Sequence, residues 1–157
     1  MKIFNYTNLG LDRDLWHLIA REFGIDGIIR DADCFDRKEL TVVIKQPSYD
    51  FDKFTYGFFY PGRIDIDVCS RCTAGTVLLT YMHEALHALL YQLGDEKYNN
   101  ADEMEIDDIA KAIFTLAGGR IGSKSGCSRY LLNDLSAWKQ SKNSLLKLLR
   151  TILRKQK

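Results

Sequence analysis

The sequence predicts an α+β fold with a small, partly antiparallel sheet, and three observations carry that expectation. A β-branched run and a hairpin signature occupy positions 40 to 68; apolar residues recur at helical spacing on both sides of that block; and Pro and Gly mark the joints. With 157 residues, 46% hydrophobic and 27% charged, the chain is long enough to bury one core and too short to require two, so 1–157 is expected to form a single domain.

Leu11, Leu15, Leu18, Ile19 and Phe23 share one helical face, Asn8 or Asp12 can cap its start, and Gly24 stops it. Leu40 to Ile44 ends before Pro47 and reads as a strand. Thr55 to Tyr60 gives a second strand signal. Pro61-Gly62 then makes a turn, and Ile64, Ile66 and Val68 alternate with Asp65 and Asp67, so Tyr56 to Val68 is expected to be a hairpin. Val77 to Leu93 is apolar almost all round, with Gly94 placed as a C-terminal cap, which predicts a helix inside the protein.

Ile106, Ile109, Ala110, Ile113, Phe114 and Ala117 define a third helix, with acidic residues at its start where the helix dipole favours them. Gly118 to Ser128 reads as a mobile loop. Its Gly118-to-Ser125 stretch has glycines and a lysine out of register for a phosphate-binding loop, which makes it a linker. A last helix, roughly Tyr130 to Leu153, mixes leucines with Lys139, Lys142, Lys147, Arg150 and Arg154. Segment 129–157 is thus expected to be a peripheral, basic amphipathic helix able to dock a protein partner.

A formal net charge of +1 gives no bulk attraction to nucleic acid or to an anionic membrane surface. His83, Glu84 and His87 interrupt the most apolar segment and argue against a membrane span. Met1 to Tyr6 opens no apolar block of signal-peptide length, so a cytoplasmic protein with reduced cysteines is expected.

The chemistry concentrates in His83-Glu84-Ala85-Leu86-His87, which holds two of the chain's three histidines. Residues four apart on a helix lie one above the other, so both imidazoles can reach one ion. Zinc accepts neutral imidazole nitrogen, and a catalytic site needs three protein ligands with the fourth position open to water. Three ionisable side chains on an apolar helix are costly to bury without compensation, and a cation compensates them. Glu84 is then placed to take a proton from the zinc-bound water and pass it to the leaving group.

This motif in this setting resembles the zincin metallopeptidases, in particular the glutamate-liganded branch, the gluzincins, which includes small bacterial and phage-encoded peptidases. The resemblance covers roughly Ile64 to Leu116. It implies a zincin-like fold, one catalytic Zn2+ and hydrolysis of a peptide or protein substrate. It also implies an edge strand that aligns the substrate backbone, which would be Ile64 to Val68 by position, and a second helix that supplies a glutamate as third ligand. Asp102, Glu103, Glu105, Asp107 and Asp108 are the candidates for that ligand. Glu103 is favoured, because Asp107 lies four residues on, matching the family's Glu-x-x-x-Asp pairing, and could accept a hydrogen bond from a ligand histidine. Glu105, sharing a face with Ile109, Ala112 and Ile113, is the runner-up.

Other signals are weaker. Tyr81, Tyr91, Tyr98 and His17 could stabilise an oxyanion, although packing explains the tyrosines and a helix surface explains His17. Cys69 and Cys72 have zinc-ligand spacing but lack two further ligands nearby, since Cys34 and Cys127 are isolated in sequence. The rival to a hydrolase is a non-enzymatic zinc-binding regulatory or interaction module that docks through the basic C-terminal helix.

Overall fold

The computed structural model describes residues 1–27, 39–47, 55–92, 103–116, 119–124 and 127–132. Their architecture is α+β, with a four-stranded mixed sheet, helices packed on it and a separate two-stranded hairpin.

Strand β1 (Lys2–Asn5) leads through helix α1 (Arg13–Phe23) to β2 (Thr41–Lys45), and the two strands pair in parallel. α1 forms where the sequence places it. The Asp12 side chain accepts the Leu15 N–H at 3.0 Å, and Gly24 closes the helix in the left-handed region at φ 71°. The pairing of β1 was not predicted. Its four residues alternate only weakly, and its partner lies far along the chain, so no local pattern marks it.

β3 (Tyr56–Tyr60) and β4 (Arg63–Asp67) form the expected hairpin. Pro61 presets the turn and Gly62 supplies its positive φ of 81°. The sheet order is β1-β2-β4-β3, with β2 and β4 parallel. This order corrects the expected edge strand. β4 is flanked by β2 and β3, and its Ile64 and Ile66 are buried in the core; among the described residues the outer strands are β1 and β3, and β3 is the one beside Glu84 of α2. The long-range β2–β4 pairing decides the matter, and hairpin signals carry no information about it.

Helix α2 (Ala74–Gln92) starts at Thr73, whose Oγ1 accepts the Thr76 N–H at 3.2 Å. It packs against β3 and β4, α1, α3 (Glu103–Leu116) and the outer hairpin, which explains why it is apolar on most sides. Trp16 of α1 stacks on Tyr81 of α2 with centroids 4.3 Å apart, and the Tyr81 hydroxyl donates to the Trp16 carbonyl at 3.1 Å. Among the described residues no helix is long and apolar enough to cross a membrane.

β5 (Gly119–Lys124) and β6 (Cys127–Leu132) pair antiparallel where a loop and linker were expected. Glycine-rich composition suggested a loop, but tertiary packing overrides it. β5 lies against α3 and β6 against α2, and at Gly119 a Cβ would stand 2.7 Å from Cζ of the Phe114 ring. The same strand corrects the start of the C-terminal helix: within 129–157, Arg129 to Leu132 belong to β6, and residues 133–157 lie outside the described residues. Gly94 lies outside them as well.

Tyr81→Phe keeps the stacked ring and removes the hydrogen bond that the buried hydroxyl donates to the Trp16 carbonyl. It is expected to lower stability by about 1–2 kcal/mol, read as a lower urea midpoint at unchanged m-value.

Candidate metal centre

The four-residue spacing on α2 brings the His83 and His87 Nε2 atoms to 3.2 Å, with ring centroids 5.1 Å apart. α3 begins beside them. Glu103, its first residue, places Oε2 2.9 Å from His83 Nε2 and Oε1 3.5 Å from His87 Nε2. One ligand atom from each of His83, His87 and Glu103 therefore lies within 4.8 Å of the others, and the three residues could hold a metal ion.

The donor set fits zinc. Bonds of about 2.0–2.1 Å at tetrahedral angles put neighbouring ligand atoms about 3.3 Å apart; here the two imidazole nitrogens are 3.2 Å apart, and Glu103 approaches them through different oxygens, Oε2 at 2.9 Å from His83 and Oε1 at 3.5 Å from His87. Without an ion the same distances suit proton sharing among the three groups. Burial lowers the pKa of His83, and neighbouring His87 lowers it further, against the opposing pull of Glu103 and Asp107. The neutral, metal-ligating form of His83 is favoured accordingly.

The helical phase of α3 separates the acidic candidates. Ile106, Ala110, Ile113 and Phe114 are buried, whereas Glu103, Glu105, Asp108, Ala112 and Thr115 are exposed; Glu103, its side chain 71% exposed, differs from Glu105 in reaching the histidines. Glu105 thus points outward, contrary to its expected alignment with the buried stripe, and does not join the histidines. Asp107 stands 3.9 Å from His83 Nδ1, beyond hydrogen-bond reach, and is ion-paired with Lys111 one turn later. Asp102 lies outside the described residues.

Glu84 is 6% exposed and turns towards β3, where its carboxylate accepts the backbone N–H of Phe59. Burial first, and then the charge of Glu103, pushes its pKa up to about 8; the Phe59 hydrogen bond opposes the rise. Gly57 makes the approach possible, since a Cβ there would sit 2.6 Å from Cγ of Glu84 and closer still to its Oε1. Residues 57 to 60, with Glu84, His87 and Glu103, line a cavity of about 240 Å³.

The β3 contribution escaped the sequence reading. Its signal was a glycine inside an aromatic strand, a common mark of close approach by another group. Tyr81 is buried in the Trp16 stack, away from any oxyanion role. Tyr91 packs its ring near Phe59 with centroids 5.9 Å apart, His17 is exposed on α1, and Tyr98 lies outside the described residues.

Comparison with protein-family models, with curated proteins and with solved structures yields no match to this chain.

His83→Ala and His87→Ala should each lose zinc and, in zinc-containing buffer, melt at lower temperature than the parent, because an ion bound only by the folded state stabilises it. In parallel zinc titrations, Glu103→Gln should weaken affinity by more than about tenfold and Glu105→Gln should leave it unchanged; equal affinities would remove Glu103 from the ligand set.

Proposed function

We propose that the chain is a zinc-dependent hydrolase, and within that class a metallopeptidase, with Glu84 as general base. One observation carries this reading: His83 and His87 of α2 and Glu103 of α3 lie close enough together to share an ion, and Glu84 of α2 lines the same cavity beside β3, an outer strand of the sheet among the described residues.

A bound zinc ion supplies Lewis acidity, polarising a carbonyl and lowering the pKa of water. Two neutral imidazoles and one carboxylate are the donor set of a site that keeps a coordination position open. Without a cation, burial favours the protonated acid at Glu84; a divalent ion held by His83, His87 and Glu103 would favour its carboxylate, which could then take the proton of the attacking water and return it to the leaving amine. The Phe59 N–H holds that carboxylate in place, and Gly57 leaves room for it.

A peptide is favoured over other carbonyl compounds by the position of β3. Among the described residues no strand covers its outer side, so an extended chain can add there by main-chain pairing beside the cavity. The resemblance of the His83-to-His87 motif to gluzincins supports the same substrate class.

Glu84→Gln should keep zinc and lower kcat/KM on a peptide library by about 10²–10⁴-fold. Hydrolysis at the parent rate by this variant would remove Glu84 as the base. Zinc binding by both proteins with hydrolysis by neither would replace the enzyme with a zinc-binding module. Gly57→Ala displaces the Glu84 carboxylate while sparing all three ligands; it should retain zinc and lose about 10²-fold in kcat.

A further inference from the structure

We infer that Cys69 and Cys72 form a reversible disulfide, a redox site at the joint between β4 and the metal-binding helix, with a low-molecular-weight disulfide of the glutathione type as its oxidant. The two Sγ atoms stand 2.8 Å apart, across a turn in which the Cys72 N–H donates to the Cys69 carbonyl at 3.2 Å. A disulfide bond of about 2.05 Å therefore needs a closure of less than about 1 Å, without any change of chain path.

A shared metal ion fits this pair less well. Two thiolates on one zinc, each bonded at about 2.3 Å, would stand about 3.8 Å apart. Among the described residues, moreover, no third His, Cys, Asp or Glu joins them.

Access to the two sulfurs is unequal. Ser70 and Arg71 are exposed at the tip of the turn, Cys72 is half-buried, and Cys69 is 7% exposed. Cys72 is the sulfur that a small disulfide meets first. Its Sγ, deprotonated, attacks one sulfur of the oxidant and expels a thiolate, which takes up the proton. Cys69, on losing its own proton, then attacks Sγ of Cys72 and expels the second small thiol. The cysteine pair gives up two electrons and two protons, and one external disulfide becomes two thiols.

Burial, and then the Cys69 sulfur, pushes the Cys72 thiol up to about 11, so closure should quicken as pH rises above neutrality. The disulfide would also draw Cys72 from Thr55, whose Oγ1 lies 3.0 Å from its Sγ and which directly precedes β3.

Arg71 lies between the two cysteines, which gives a direct assay. The folded chain of residues 1–157 is incubated with oxidised glutathione, quenched with acid, treated with N-ethylmaleimide at about pH 6.5 and cut with trypsin. A disulfide keeps the peptide Ile64 to Arg71 joined to the peptide that begins at Cys72, and reduced glutathione separates them. In Cys69→Ser, Cys72 should carry a stable glutathione instead. Separate alkylation of both cysteines, separate glutathione adducts on each, or joining only after unfolding in urea would each overturn the proposal.

Discussion

Everything at the candidate site depends on how a helix surrounded by packing accommodates three ionisable side chains. α2 contacts the sheet, α1, α3 and the outer hairpin, and among the described residues nearly every position on it is apolar apart from His83, Glu84 and His87. Each of the three has a specific answer. The imidazoles meet each other and Glu103, whereas Glu84 meets the Phe59 N–H at the sheet edge. Leaving any of these groups buried and unpartnered would cost on the order of 1–3 kcal/mol or more. The fold has therefore assembled partners from three separate segments of chain around a single helical turn.

Those partners differ in how visible they were beforehand. The histidine pair was legible because helical periodicity is local: four residues make one turn wherever the helix sits. Asp12 and Gly24 were legible for the same reason, as were Pro61 and Gly62. The edge beside α2 was not, because the parallel pairing of β2 with β4 connects residues distant in sequence and, among the described residues, makes β3 the outer strand there. β1 was missed on similar grounds. In β5, glycine content suggested a loop, and only contact with Phe114 gives Gly119 its reason.

The acidic helix lies between these extremes. Its existence could be read from Ile106, Ala110, Ile113 and Phe114, but the choice between Glu103 and Glu105 depends on rotational phase. Two residues on a helix are about 200° apart, so one of them must face away when the other faces α2. Glu103 and Asp107 share the side towards His83, whereas Glu105 and Asp108, exposed like Glu103, have no contact with the histidine pair. Asp107 has the predicted neighbour without the predicted hydrogen bond, its carboxylate being engaged by Lys111.

X-ray absorption at the zinc edge, on the chain of residues 1–157 loaded with one equivalent of zinc, tests the central claim most directly. The account predicts only nitrogen and oxygen scatterers at about 2.0–2.1 Å, with the outer-shell pattern of two imidazoles. Sulfur at about 2.3 Å would instead place the ion on the cysteine pair and contradict both the His83–His87–Glu103 centre and the role given to Glu84.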